Sequence, residues 1–222
     1  MAEINGEASE KPDIASASIT LIMGADQIVD FSPILQHGFG MKASVPCTVA
    51  NLLCDQFGFN REYVSERIAT IFLDGKTTDS IDDALVRDHS TIALSAAMPG
   101  VVGATFRRGS FYSAMRSAIT CTDKGKTGAC SEGMVFVKLF NLLLHELGSE
   151  FLVKGIFLNS SELLNFFLQE PDAFWRGCDE ALINGKPVVP TSLKHSEAFA
   201  QCEIIKLSIS ITEVHAKAAS AP

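Results

Sequence analysis

The chain reads as an α+β protein: an N-terminal half lays one helix across a mixed sheet, and a C-terminal half adds a second α+β unit. Three observations predict this. The runs Ile68 to Leu73 and Thr91 to Met98 are rich in β-formers, and the first turns on Asp74-Gly75, the dipeptide that best suits a tight hairpin. Upstream of them, Val49, Leu52, Leu53 and Phe57 fall at helical spacing and make one apolar stripe that needs a surface to cover it. Near the C-terminus, Gln201 to Val214 alternates, with Leu207, Ile209 and Ile211 on one side and Lys206, Ser208, Ser210 and Thr212 on the other.

Taken in order, residues 1–17 are acidic and rich in small side chains, offer little to bury, and read as a flexible tail. Ile19 to Met23 and Gln27 to Phe31 read as two short strands joined at Gly24-Ala25-Asp26. Ser32 to Lys42, with Pro33, Gly38 and Gly40, reads as a loop. Thr48 stands where a helix N-cap belongs, its hydroxyl able to accept from an orphan first-turn amide, and Gly58 stands where the helix stops. A sheet with one helix packed across it is the natural burial solution for this order. Beyond Pro99-Gly100, Ser110 to Thr120 has a helical face and Thr122 to Gly133 is turn-rich. Met134 to Phe140 reads as a strand, Leu142 to Leu147 as its continuation or as a helix closed by Gly148, and Phe151 to Leu158 as another strand. Ser160 or Ser161 caps a helix through Leu163, Leu164, Phe167 and Leu168, and Pro171 to Ala181 reads as a further helix. The expected partition is a tail at 1–17, a domain at 18–103, a basic Gly-rich connector at 104–133, an α+β domain at 134–214 and a tail at 215–222.

Composition narrows the function classes. The chain has 222 residues, 47% of them hydrophobic and fifteen of them Phe, enough for one large core or two small ones. A mean hydropathy of +0.21 is high and points to apolar surface covered by a partner, either a second copy or another protein. The longest uncharged run, Ser90 to Phe106, is broken by Pro99, Gly100 and Gly103 and is too short to cross a membrane. The N-terminus lacks the basic and apolar regions of a secretion signal, so a cytoplasmic location is expected. The six cysteines form no CxxC pair and no zinc spacing, which predicts reduced thiols; Cys121 and Cys130 are the two placed to meet. A net charge of −8 argues against nucleic acid as a partner.

The segments VPCTVANLLCDQFGF, TIFLDGK and DDALVRDHSTIALSAAMPG resemble the β-grasp, ubiquitin-like sulfur carriers, such as the small subunit of molybdopterin synthase and the thiamine-pathway carrier. In that family a T-V-x-x-L-L helix precedes a V-N-G-K strand and turn, and a D-G-D-x-V strand leads into a tail with Pro and Gly. The likeness covers residues 19–103 and implies a β-grasp-like domain there. It stops short of the carrier chemistry, which needs a free C-terminal Gly-Gly whose carboxylate becomes a thiocarboxylate. No Gly-Gly exists here, and Gly103 is followed by 119 further residues. Ile183-Asn184-Gly185-Lys186 echoes Leu73-Asp74-Gly75-Lys76, and Val137 to Phe140 resembles a carrier-type first strand, which raises the option of a degenerate second copy.

Charge is unevenly spread. Between Val101 and Cys130 stand Arg107, Arg108, Arg116, Lys124 and Lys126 against Asp123 alone, a local +4 that leaves −12 for the remainder. Gly100 and Gly103 would let backbone amides approach a ligand, and Arg107, Arg108 and Arg116 offer donors suited to carboxylate or phosphate. This corner is the candidate site for a small anionic ligand or an acidic partner. The competing reading pairs these arginines with the chain's own acidic loop, Asp79 to Asp83. No dinucleotide or Walker pattern is present, the five histidines are scattered, and no metal or cofactor is expected. Cys47, just before the helix cap, is the one thiol a helix N-terminus would activate. The expectation is a non-catalytic binding or protein-interaction module; the alternative is an enzyme acting on a small anionic substrate held by Arg107 and Arg108.

Overall fold

The computed structural model describes residues 17–96, 100–109 and 129–212. The helix expected at Ser110 to Thr120, most of the turn-rich stretch after it and the two tails lie outside these residues. In chain order, β1 (Ala17–Gly24) leads through a 3-10 helix (Ala25–Phe31) and α1 (Ser32–His37) to β2 (Phe39–Val45). Then come β3 (Cys47–Thr48), a π-helical turn (Asn51–Gln56), α2 (Arg61–Glu66), the hairpin β4 (Thr70–Leu73) and β5 (Lys76–Thr77), and β6 (Leu85–Val86). β7 (Thr91–Ser95) and α3 (Gly100–Phe106) precede the long β8 (Ser131–Phe140). The remainder runs α4 (Leu142–Lys154), β9 (Ile156–Asn159), α5 (Ser160–Gln169), α6 (Asp172–Arg176), β10 (Cys178–Ile183) and β11 (Lys186–Val188). A second 3-10 helix (Pro190–His195), α7 (Ala198–Gln201) and β12 (Ile204–Thr212) complete it.

Ten strands form one mixed sheet in the order β11-β10-β1-β12-β9-β2-β8-β7-β4-β5, and β3 and β6 pair separately. An α+β fold with a mixed sheet is therefore what the chain adopts, and β4 and β7 pair antiparallel as the two β-rich runs predict. The helical stripe also forms: Thr48 Oγ1 accepts from Asn51 N at 3.1 Å, Val49, Leu52 and Leu53 are fully buried, and Gly58 ends the turn at φ +78°. Alternate residues of the central strands, among them Ile19, Leu21, Phe39, Met41, Val135, Val137, Leu207 and Ile209, bury against a helical layer on one face. That layer is aromatic: Phe39, Phe57 and Phe59 each meet Phe151 edge-on at 5.1–5.5 Å, and Phe31 packs between Phe166 and Phe174. Such edge-to-face pairs add about 1 kcal/mol each beyond the area they bury.

Several expected elements are corrected. Gln27 to Phe31 is helical and makes no hairpin with β1, because Ile28, Phe31, Ile34 and Leu35 follow one another at helical spacing and are buried together. The loop expected over Ser32 to Lys42 contains α1, with Pro33 in its first turn and Gly38 at φ +127° ending it, and the start of β2. Leu142 to Lys154 is one helix. Gly148 lies in its interior, where a Cβ would come within 2.8 Å of Leu35, and Gly155 at φ +89° is the stop. The cap of α5 is Asn159, whose Oδ1 accepts from Ser161 N at 3.0 Å. The helix expected over Pro171 to Ala181 ends at Arg176, and β10 follows.

The two halves of the sheet correspond strand for strand. From the middle outward, β9, β12, β1, β10 and β11 match β2, β8, β7, β4 and β5, with a parallel pair at the same place in each: β1 with β12, and β7 with β8. One row of partners crosses the seam, Ser18-Lys206-Phe157-Gly40-Phe136-Thr91, and its pairings run parallel, three times antiparallel and parallel, the same from either end. The outer hairpins repeat the match atom for atom. Asp74 N donates to Thr91 O at 2.9 Å while its Oδ1 accepts from Thr91 N at 2.7 Å; Asn184 N donates to Ser18 O at 2.8 Å while its Oδ1 accepts from Ser18 N at 2.8 Å. Both turn residues sit at φ 50°, each followed by a glycine at φ 76°. β1, from the start of the chain, thus completes the C-terminal set, and β8, from beyond residue 103, completes the N-terminal one.

Candidate functional site

The arginine corner forms where α3 returns to α2. Gly103 is buried inside α3, its carbonyl accepting from Arg107 N at 3.2 Å. Arg107 is exposed. Arg108 turns inward: its amide donates to Ala69 O at 2.9 Å, and its Nη2 donates to Val64 O at 2.7 Å, Ile68 O at 2.5 Å and Ser65 O at 3.3 Å. Those carbonyls close the C-terminus of α2, where a cation is favoured by the helix dipole and by the orphan acceptors. Burial pulls the Arg108 guanidinium below its usual range, opposed by the nearby Asp79. The acidic loop lies alongside. Asp82 takes Arg61 Nη2 at 2.6 and 2.8 Å, and Asp79 Oδ1 accepts from Gly109 N at 3.4 Å. A cavity of about 500 Å³ opens here, lined by Arg61, Arg107 and Arg108 together with Glu66, Asp79 and Asp82. Gly100, at φ +80°, opens α3 away from it, and Arg116 lies outside the described residues. The corner is therefore of mixed charge, with the acidic loop drawn up to the arginines.

A second place was not legible as a site. The face of the sheet opposite the helical layer carries Phe72 from β4, Thr91 and Ala93 from β7, and Met134, Phe136, Lys138 and Phe140 from β8. Two adjoining cavities open on it. One, of about 540 Å³, lies between Phe72, Ala93 and Phe140. The other, of about 570 Å³, lies between His89, Met134, Phe136 and Phe157. Thr91 and Lys138 line both, so Lys138 stands on the divide. Phe136 and Phe140 remain 38% and 37% exposed, a large apolar area for a sheet surface. The His89 ring stacks on Phe136 at 6.2 Å, and Phe106 from α3 meets Phe72 edge-on at 5.4 Å. The sequence signal for this face is the spacing Phe136-x-Lys138-x-Phe140 within one strand.

The matching face of the other half carries different side chains. In place of Ala93, Lys138 and Phe140 it has Thr20, Ser208 and Ser210, and Thr20 and Ser208 hydrogen-bond each other at 3.1 Å. Those hydroxyls satisfy one another or face water. The aromatic face does neither.

Reactive groups are sparse elsewhere. Burial pushes the Cys47 thiol up to about 11, the reverse of the lowering expected from a helix N-terminus, because the side chain lies in the core. Cys130 is exposed and its Sγ donates to Pro46 O at 3.5 Å; Cys121, its expected partner, lies outside the described residues. His37 lies 3.6 Å from Glu162, and His89 3.7 Å from Asp88. Among the described residues no group of three or more His, Cys, Asp or Glu could hold a metal, and no helix is long and apolar enough to cross a membrane. Comparison with known proteins finds no matching family, no similar curated protein and no similar solved structure.

Proposed function

We propose that the chain is a non-catalytic binding or protein-interaction module of the β-grasp, ubiquitin-like type, built on two such units sharing one sheet, and that it binds through the aromatic face of its N-terminal half. The β-grasp reading is supported by the T-V-x-x-L-L helix, capped by Thr48 and packed beside β2, and by the Asp74-Gly75 hairpin at the outer edge of the β2-β8-β7-β4-β5 set. Thiocarboxylate chemistry is not part of the proposal, because Gly103 lies inside α3 and offers no carboxylate. The observation that carries the binding reading is the pair of adjoining cavities between Phe72, Phe136, Phe140 and Phe157, on a face whose counterpart in the other half carries Thr20, Ser208 and Ser210. Cavities of this size, apolar with a few polar groups, are the usual form of a ligand site.

The arginine corner supports a small-anion enzyme less well, since Arg108 holds helix carbonyls and Asp79 and Asp82 line the same cavity. Methyl NMR tests the choice directly. The methyls of Thr91, Ala93 and Met134 are expected to shift on titration with a small library of aromatic and aliphatic fragments, and Phe136→Ser should remove the shifts. Fragment shifts confined to residues around Arg61 and Arg107, or turnover of any fragment, would overturn the proposal.

A further inference from the structure

We infer that the groove selects organic anions with a flat or short apolar body, and that Lys138 is the residue that selects them. The inference rests on the reading of this face as the binding surface and adds the chemical class of the ligand.

Lys138 is half-buried and makes no hydrogen bond or ion pair with any described residue, in a chain whose acids outnumber its bases by 26 to 18. Its stem is covered while its charged end has no partner among the described residues, the arrangement in which a lysine head is left to meet a group from outside. The stem is held in place: a Cβ on Gly38 would lie 3.1 Å from Lys138 Cε and 3.3 Å from its Cγ, so the chain of methylenes lies flat over that glycine. Gly38 sits at φ +127°, where a side chain is disfavoured in any case, and this leaves the track for the lysine open. Both cavities share Lys138, but Glu162 and Glu203 line the one beside Phe136 and Phe157 and no acid lines the other, so an anionic head beside Lys138 directs the body over Phe72 and Phe140. The other unpaired lysine of this face, Lys206, stands in the polar half and lines neither cavity. With a net charge of −8 the protein repels anions at long range, so a local cation is needed for one to settle here. A carboxylate, sulfonate or phosphate monoester on an aromatic or short aliphatic body fits these terms.

Two dyes of the same ring system separate the ligand class from the site. The probes are 8-anilinonaphthalene-1-sulfonate and the uncharged N-phenyl-1-naphthylamine, titrated by fluorescence into the full chain, into Lys138→Met, which keeps the stem length, and into Lys206→Met. Melting curves confirm that each variant is folded. The sulfonate should bind at least tenfold more tightly than the neutral amine, as expected for one charge-assisted contact. Lys138→Met should bring the sulfonate down to the level of the amine and leave the amine unchanged, and Lys206→Met should alter neither. Equal binding of both dyes, insensitive to Lys138→Met, would overturn the anion assignment and leave the groove standing. Loss of both dyes in Lys138→Met would show the lysine to be a packing element and overturn it too. If neither dye binds the wild-type chain, the binding reading of the face falls with it.

Discussion

Replacing Arg108 by methionine is the sharpest test of how the arginine corner is built. The substitution keeps much of the stem and removes the Nη2 that closes α2. Two of its acceptors are close and partly buried, Ile68 O at 2.5 Å and Val64 O at 2.7 Å, and the third, Ser65 O at 3.3 Å, is marginal. A hydrogen bond from a charged donor contributes about 1.5–3 kcal/mol, and losing it leaves carbonyls short of a partner. Against this stands the desolvation of the guanidinium in the native state, whose sign is visible in its lowered pKa. The net cost should be about 2–3 kcal/mol, less than the sum of two such bonds. For a chain of this size each kcal/mol moves the melting temperature by about 2–4 °C, so Arg108→Met should melt roughly 5–10 °C lower. Arg107→Met, at an exposed neighbour, should stay within about 1 kcal/mol of the parent. Circular dichroism melts of the three proteins decide it. Equal melting of the two variants would mean that Arg108 does not hold α2 and is available to a ligand.

Three further outcomes follow from local geometry. Glu146 accepts from Tyr63 Oη at 2.7 Å and from the Arg67 guanidinium, which holds its carboxyl below the usual carboxylate range. Its contribution is present at neutral pH and fades as the pH falls through that depressed value, so urea midpoints of the parent and Glu146→Gln should differ at pH 7 and converge below about pH 4. Gly40 sits on the seam, where a Cβ would meet Met134 Sδ at 2.7 Å and Phe157 Cβ at 3.2 Å; Gly40→Val should cost about 1–3 kcal/mol in urea unfolding, and a neutral result would show that the two halves can slide apart there. Iodoacetamide at pH 8 should label exposed Cys130 well before Cys47 and Cys178, both buried and pushed up to about 11, and peptide mapping that finds Cys47 labelled as fast as Cys130 would contradict its burial.

How far the sequence could be read depends on whether a segment's partners are near or far in the chain. The Thr48 cap, the Asp74-Gly75 turn and the alternation of β12 are local, and each forms where its own residues place it. Gln27 to Phe31 is β-branched enough to pass for a strand, yet Phe31 packs on Phe166 and Phe174, residues well over a hundred positions away, and the helical spacing is what that packing needs. Gly148 reads as a stop because its real reason, room for Leu35 from α1, lies on another helix. The arginines were visible as charge; that one would cap α2 while the other faced solvent was not, since the chain meets α2 some forty residues earlier. The aromatic face was hidden for a simpler reason. Alternation shows which residues of a strand share a side, and only the layer laid over the other side reveals which set is left uncovered.

The short echo between Leu73-Asp74-Gly75-Lys76 and Ile183-Asn184-Gly185-Lys186 turns out to mark the outer corners of two matched five-strand sets. What masks the repeat in the sequence is the order of threading. The strand that completes the C-terminal set is β1, the first in the chain, so the two matched sets are interleaved and a search for one following the other passes over them. Each set draws one strand from the other's stretch of sequence, and this ties the halves into one cooperative sheet. Two equivalent frames then allow an internal comparison that a single copy cannot offer. Positions kept alike, the turn residues with their paired hydrogen bonds to Thr91 and Ser18, serve the shared frame. Positions where the frames differ, Lys138 against Ser208 and Phe140 against Ser210, are free of that duty. These two differences meet the cavities, one of which reaches over the seam to Phe157, and a frame that needs only to fold would have no reason to set an unpaired lysine beside exposed phenylalanines.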